Sequence, residues 1–222
     1  MRVGTWNLEG RWSAGHATFM QRCSCDIWLL SIVRDDFALQ AGETARSEPR
    51  GDDVSWSAVW SAAGLEAIEP THPAVTCARV GELLACSSVL PWRNAAPFSD
   101  DDGDSVASIT RAAIAGVRDA LAGGHDVIWG GGWNHGLHER ENVGTLMGRR
   151  EILALIGALG LQAPTARLPN SIAGMFSTDH IAVPERWEVE DASRVIAQIG
   201  GRRLTDGDVY VVECEQAVSA AV

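Results

Sequence analysis

The chain is built from many short strand-like runs with few helical patterns between them, and this feature most constrains its fold. Runs of apolar or alternating residues that read as strands lie at residues 2–7, 27–33, 54–60, 73–79, 82–90, 126–129, 176–183 and 209–214. Helical patterns lie at residues 16–22, 106–121 and 148–159. Because strands outnumber helices and helices fall between some of them, we predict one layered α/β (α+β) domain over residues 1–222, without repeats or a linker.

Length and residue content limit the class of protein. A chain of 222 residues with 46% hydrophobic content can form one substantial core, or at most two small ones. The sequence starts directly with a strand-like run instead of a signal peptide, and its longest apolar runs are too short to cross a bilayer. The five cysteines are an odd number without a C-x-x-C pair, which favours reduced thiols. We therefore expect a cytoplasmic protein without a membrane partner.

The charge of the chain restricts its chemistry and its partners. The formal net charge is −11, and all 18 basic residues are arginine. Without lysine, Schiff-base catalysis is excluded. An acidic chain attracts the phosphate backbone only weakly, so nucleic acid is not an expected partner. Nine tryptophans are many for this length, and Trp6, Trp92 and Trp133 are candidates for the wall of an aromatic pocket.

The segment Val-Ile-Trp-Gly-Gly-Gly-Trp-Asn-His, residues 127–135, raises the main question about function. It resembles a buried strand that ends in three glycines, which permit a sharp turn and a close approach of other groups. The end of such a strand is a common position for a charged catalytic side chain, yet residue 132 has no side chain. His135 and His138 form H-x-x-H, but without a third ligand of clear spacing this is a weak zinc motif.

Five segments, taken in chain order, resemble motifs of the endonuclease/exonuclease/phosphatase superfamily, whose fold is DNase-I-like, and particularly its small bacterial members. They are Thr5-Trp-Asn7, Cys25-Asp-Ile-Trp-Leu-Leu-Ser-Ile-Val33, Gly130-Gly-Gly-Trp-Asn134, Ser177-Thr-Asp-His-Ile181 and Leu204-Thr-Asp-Gly-Asp208. The resemblance implies a four-layer sandwich of two facing β-sheets flanked by helices. It places the functional site at the mouth of the sandwich, where the loops gather.

The resemblance also implies a chemistry, which is metal-assisted hydrolysis of phosphoesters. In the family, a second-strand glutamate holds Mg²⁺ with a first-strand asparagine. The aspartate of G-D-x-N activates water, and a histidine before the last strand assists. This chain matches the family at Asn7, Asn134, Asp179 and Asp206, but it has Ile32, Gly132 and Gly207 where the glutamate, the aspartate and the histidine are expected.

These three departures predict that ordinary hydrolysis is lost. Ile32 offers no oxygen to a hard cation, and loss of one catalytic group costs about 10²–10⁴ in rate. We expect no metal and no cofactor. The altered pocket suits an uncharged or apolar small organic molecule, because it gains an apolar wall at Ile32 and space at Gly132 and Gly207.

A carboxylate in a drier cavity has a raised pKa, which favours acid–base chemistry near neutral pH. We therefore predict a reaction of the isomerase or cyclase type, of the kind used in specialised metabolism. The predicted catalytic residues are Asp206, Glu9 and Asn134. The predicted substrate-binding residues are Asn7, Trp6, Ile32, Arg34, Trp92, Gly132, Trp133, His135, Asp179, His180 and Gly207.

Two alternatives remain open at the level of sequence. The first is a catalytically dead pseudoenzyme that acts as a binding module, because a dead site and a repurposed site look alike. The second is a residual Mg²⁺-dependent nuclease or phosphodiesterase. In that case Glu9, two residues beyond Asn7 and on the same strand face, would replace the lost ligand, and His135 or His138 would replace the imidazole.

Overall fold

The computed structural model describes residues 1–49, 53–92, 105–123, 126–138 and 143–216. Within these residues the strands are β1 Arg2–Asn7, β2 Ile27–Arg34, β3 Glu43–Arg46, β4 Val54–Ser61, β5 Glu66–Ala67, β6 Val75–Val80, β7 Leu83–Ser88, β8 Asp126–Gly132, β9 Leu161–Gln162, β10 Asp179–Pro184, β11 Glu188–Val195, β12 Gln198–Ile199, β13 Arg202–Arg203 and β14 Val209–Glu215. The helices are α1 Ala14–Cys23, α2 Val106–Leu121, α3 Leu146–Ala158 and a 3-10 helix at Pro164–Arg167.

The strands form two six-stranded sheets and one small hairpin. The first sheet has the order β11-β14-β1-β2-β4-β3, and the second has the order β5-β6-β7-β8-β10-β9, while β12 and β13 pair with each other. The parallel pairs are β1 with β2 and β7 with β8. Parallel neighbours need a crossover connection. Accordingly, α1 follows β1 and α2 follows β7, and each helix lies on the outer face of its own sheet.

Three apolar clusters separate the layers of the molecule. The middle cluster lies between the sheets and includes Leu29, Ile128 and Ile181, each fully buried. A second cluster packs α1 on the first sheet, and a third packs α2 and α3 on the second sheet. The layers therefore run helix, sheet, sheet, helices. This confirms the predicted four-layer sandwich.

Small polar side chains join the two sheets across the middle layer near the mouth. The Ser87 hydroxyl donates to the Leu30 carbonyl at 2.8 Å, and the Gly132 N–H donates to the Ser31 Oγ at 2.8 Å. These bonds satisfy polar groups that would otherwise be buried without partners. They fix the end of β8 against the end of β2.

Most predicted elements are found, with shifts at their ends. Strand β1 and helix α2 have the predicted bounds, whereas β8 runs on to Gly132 and β10 starts only at Asp179. Strand β11 was not predicted, because it is an edge strand with a largely exposed or half-buried pattern and lacks an apolar alternation. Among the described residues, no helix is long and apolar enough to cross a membrane.

Candidate functional site

Five strand ends meet at one end of the sandwich and form the candidate site. The ends of β1, β2 and β8 lie there together with the starts of β10 and β14. Asn7 pairs with Ser31 in the first sheet, and Gly132 pairs with Asp179 in the second. The bond from the Gly132 N–H to Ser31 links the two pairs. The fold thus brings together residues that are distant in the sequence.

Three of the six non-glycine residues with positive φ in the described part of the chain lie at this mouth. Glu9, Ile32 and Asn134 have φ values of 54°, 53° and 54°, in the left-handed region. Such a conformation is unusual for any residue with a side chain, and most of all for a β-branched one. The Ile32 carbonyl accepts a bond from the Gly10 N–H at 2.8 Å, which ties the turn after β1 to β2. Strained backbone of this kind costs about 1–3 kcal/mol per residue and clusters at functional sites.

The three glycines at the end of β8 are not equivalent. A Cβ at Gly130 would lie 2.5 Å from the His180 carbonyl oxygen, and one at Gly131, where φ is 120°, would lie 2.3 Å from the Ser88 oxygen. A Cβ at Gly132 would meet only side chains in ordinary or slightly tight contact, with Ser31 Oγ at 3.1 Å and Asp179 Oδ1 at 3.4 Å. The first two glycines are required by packing. At the third, a Cβ would require Ser31 Oγ to shift by a few tenths of an ångström, so packing constrains Gly132 less than Gly130 or Gly131.

Asp179 is the desolvated carboxyl group of the mouth. It remains partly accessible, but the surrounding protein desolvates the carboxyl group and raises its pKa to about 7. The charge of Glu9 raises this pKa further, and a hydrogen bond from Thr178 lowers it. A carboxyl group with a pKa near neutrality can both donate and accept a proton at physiological pH.

Glu9 holds the turn after β1 against the loop before β14. Its Oε1 accepts bonds from the N–H groups of Asp206 at 2.9 Å and Gly207 at 3.2 Å. Its Oε2 lies 3.4 Å from Arg11 Nη1. The Glu9 N–H in turn donates to the Asn7 Oδ1 at 3.0 Å. The oxygen atoms of both Asn7 and Glu9 are therefore already engaged by protein donors.

Asp206 differs from the acid–base group expected from the sequence. Its side chain is 90% exposed, and its carboxylate lies 3.9 Å from Arg11. The expected role required desolvation, and Asp179 meets that requirement while Asp206 does not. The buried carboxylate of the loop is Asp208, whose side chain is 0% exposed and lies 2.6 Å from Arg194 and 2.7 Å from Arg203. No pattern in the sequence favours Asp208 over Asp206, because both residues precede the last strand.

Four predicted pocket residues face the core. Trp6, Trp133, His135 and His180 are each 0% exposed, so their predicted place on the pocket wall is wrong. Trp6 donates to the Thr205 hydroxyl at 2.8 Å, and Trp133 packs on Trp129 with ring centroids 4.0 Å apart.

The two buried histidines are structural by their contacts. A ring nitrogen of His135 lies 2.7 Å from the Trp133 carbonyl, and one of His180 lies 2.9 Å from the His135 carbonyl. Burial lowers the pKa of His180 to about 4, so this imidazole is neutral. His138 stacks on Phe176 at 4.8 Å. Among the described residues, no third His, Cys, Asp or Glu side chain is grouped with this H-x-x-H pair as a metal site.

The remaining predicted residues have varied surroundings. Asn134 donates through Nδ2 to the Leu90 carbonyl at 2.8 Å and the Gly132 carbonyl at 3.2 Å, which braces the turn. Trp92 is 41% exposed and Ile32 is half-buried. Arg34 is bound to Asp36 through two bonds of 2.7 and 2.9 Å. A Cβ at Gly207 would meet no atom within 4 Å, so the space predicted there is present.

The donor set at the mouth does not fit the magnesium site of the family hydrolases. Ile32 has no ligand atom, and the Oδ1 of Asn7 accepts the Glu9 N–H. Mg²⁺ requires an octahedral set of oxygens, commonly including carboxylates. Among the described residues, no three His, Cys, Asp or Glu side chains are grouped as metal ligands.

Comparison with solved structures identifies the fold. The chain superimposes on the 3′-5′ exonuclease NExo from Neisseria meningitidis with a TM-score of 0.70 and 15% identity, covering 97% of this chain and 100% of that one. It superimposes on an AP endonuclease from Archaeoglobus fulgidus with a TM-score of 0.69 and 12% identity, covering 96% of this chain and 98% of that one. For an endonuclease/exonuclease/phosphatase from Beutenbergia cavernae the TM-score is 0.66 and the identity 11%, covering 96% of this chain and 71% of that one. No protein-family model and no curated protein matches the chain. At these identities the likeness shows the endonuclease/exonuclease/phosphatase, or DNase-I-like, fold.

Proposed function

We propose that this chain is a repurposed form of the endonuclease/exonuclease/phosphatase fold, which binds and transforms a small organic molecule by metal-independent acid–base chemistry. Asp179 is the proton-transfer group. The observation that carries the proposal is the desolvated Asp179 carboxyl beside Gly132, the glycine at the end of β8 that packing constrains least. This revises the sequence-based choice of Asp206, while Glu9 keeps a supporting role.

The proposed chemistry uses two carboxyl groups in different surroundings. Burial keeps Asp179 partly protonated near pH 7, whereas Glu9 accepts two backbone N–H bonds and faces Arg11. Carboxyl groups placed in such different environments can take different roles in proton transfer. A group that both donates and accepts a proton suits an isomerisation or cyclisation, in which the substrate loses and regains a proton without a second substrate.

The surroundings of Asp179 favour a ligand with apolar surface. Ile32 replaces the expected carboxylate with hydrocarbon, and Gly207 leaves open space. Trp92, two residues beyond the Leu90 carbonyl that accepts from Asn134, is 41% exposed. Largely apolar surroundings with few polar groups are typical of sites for small organic molecules.

The test compares Asp179→Asn with Asp191→Asn, an equivalent change at an exposed position on β11. The wild-type chain is first screened by thermal unfolding against uncharged organic compounds, with and without Mg²⁺, Mn²⁺ and EDTA. We expect compounds to raise the unfolding temperature without metal. Turnover of a hit should fall about 10²–10⁴-fold in Asp179→Asn and remain unchanged in Asp191→Asn.

The same test decides between the proposal and its alternatives. Binding of a compound without turnover, unchanged in Asp179→Asn, would instead identify a pseudoenzyme used as a binding module. The likeness to DNA-processing enzymes favours a residual hydrolase. EDTA-sensitive hydrolysis of bis(4-nitrophenyl) phosphate or of DNA by the wild type would establish that function and refute ours.

A further inference from the structure

A second cavity lies beside the mouth, between the start of α1 and the β12–β13 hairpin. Its volume is about 620 Å³, and Arg11, Arg202 and Arg203 all line it. Among the described residues that line it, none is Asp or Glu. In a chain with a net charge of −11, three guanidinium groups around one cavity without a lining carboxylate form a local environment that favours anions.

The arginines differ in how far their charge is already used. Arg11 lies near the Glu9 and Asp206 carboxylates, at 3.4 and 3.9 Å, and Arg203 binds Asp208 at 2.7 Å. Arg202 is exposed, and within the part of the chain that the structure describes it makes no ion pair. Arg202 is therefore the arginine of the three whose charge is most available to an anionic ligand.

The first turn of α1 adds a second source of positive potential. Ser13 occupies the N-cap position, but its side chain makes no capping bond, and no acidic residue lies in the first turn. Both Ser13 and Gly15 line the cavity. The N-terminal N–H groups of a helix carry a partial positive charge and bind anions when no side chain satisfies them.

His16 supplies an independent sign of a missing partner. It lines the cavity, is only 5% exposed, and bonds through Nδ1 to the Ser13 hydroxyl at 2.8 Å. Its Nε2 has no hydrogen-bond partner among the residues that the structure describes. Burial lowers the pKa of His16, and the nearby Leu204 carbonyl raises it. The contact between the His16 ring and this carbonyl does not meet the geometry of a hydrogen bond. In the tautomer that carries the proton on Nε2, a buried N–H without an acceptor is unfavourable, and a ligand oxygen that accepted from it would remove that cost.

We propose that this cavity is a binding site for a small oxyanion, either a carboxylate or a phosphate monoester group. Arg202 supplies the principal charge-assisted bond, Arg11 and Arg203 supply field and further donors, and the start of α1 supplies backbone N–H groups. This site is separate from the Asp179 carboxyl and does not depend on the chemistry proposed there.

The test is isothermal titration calorimetry of the full chain with inorganic phosphate, phenyl phosphate and benzoate, at constant ionic strength in chloride. We expect saturable binding of one equivalent. The ligand class that binds more tightly, phosphate or benzoate, identifies whether the natural group is a phosphate or a carboxylate. Arg202→Ala should weaken binding about tenfold or more, as expected for a charge-assisted bond, while Arg150→Ala, an exposed arginine on α3, should have no effect.

Two further measurements make the result decisive. The His16 ring resonances should shift during the titration, because the anion lies against this residue. Asp179→Asn should bind the anion as the wild type does, so a failure of the acid–base proposal would not be confused with a failure here. Non-saturable heats in all three titrations, an equal loss in Arg150→Ala, or unmoved His16 resonances would overturn the proposal.

Discussion

Two carboxyl groups close to the mouth are both desolvated, yet their surroundings give them opposite properties. Asp208 lies between Arg194 and Arg203, and Arg203 also donates to the carbonyl groups of Asp206 and Gly207. Among the described residues no cation pairs with Asp179, and burial together with the Glu9 charge raises its pKa to about 7. The comparison teaches that burial alone does not define a functional carboxylate. Pairing with arginine makes one group a structural brace, and isolation leaves the other able to exchange a proton.

The largest expected effect is on the braced carboxylate. Asp208→Ala leaves Arg194 and Arg203 without their shared anion and releases the loop whose N–H groups hold Glu9. We expect the free energy of unfolding to fall by about 3 kcal/mol, the low end for a broken buried ion pair, since both guanidinium groups keep some contact with water. Urea unfolding of the wild type and the variant measures this change in the free energy of unfolding. Asp191→Ala on β11 is the control, and an equal loss there would remove the distinction.

Asp179, the carboxyl group that is not paired with an arginine, should lower the stability of the folded chain when it is ionised. The pKa of Asp179 is raised from 3.8 to about 7, so the folded chain binds more protons than the unfolded chain between these values. Stability from this group is therefore full below about pH 4 and is lost as pH rises towards 7. Asp179→Asn removes that loss. We expect it to stabilise the chain by roughly 2 kcal/mol at pH 8 and little at pH 4.

Urea unfolding of wild type and Asp179→Asn at both pH values checks this prediction. Asp191→Asn controls for the general effect of charge removal. A variant that is less stable than wild type at pH 8 would mean that the Asp179 carboxylate is stabilised by the fold, as Asp208 is, and the contrast between the two groups would fail.

The smallest expected effect concerns the coupling of Glu9 to Asp179. Glu9→Gln keeps a carbonyl oxygen for the N–H groups of Asp206 and Gly207 but removes the charge that raises the pKa of Asp179. We expect that pKa to fall by less than burial has raised it, because burial is the larger cause. A ¹³C NMR titration of the Asp179 carboxyl measures the change. Glu188→Gln, at an exposed position on β11, should leave the titration unchanged.

Features of the site that depend on local sequence could be predicted, whereas the burial of individual side chains, which depends on the packing of the fold, could not. The strand pattern and five ordered motifs predicted the sandwich and its mouth, and the space at Gly207 is present. Trp6, Trp133, His135 and His180 lie within or beside the motifs, and residue type alone leaves open whether such side chains line the pocket or pack in the core. Alternation along β10 turns His180 away from Asp179, and the turn after β8 buries Trp133 and His135. Adjacency in sequence is a poor guide where side chains alternate between two faces.

The sequence by itself determined the layered α/β architecture through its periodicity, and the absence of a side chain or ligand atom at positions 32, 132 and 207 through residue identity. The resemblance of five motifs to the endonuclease/exonuclease/phosphatase superfamily implied the position of the mouth. Only the tertiary structure decided that Asp179 is desolvated while Asp206 is in water, and that Asp208 is paired with two arginines. The physical reason is that solvation and ion pairing depend on neighbours from distant segments. The packing of two sheets brings those segments together, and no local pattern records which carboxylate ends beside an arginine.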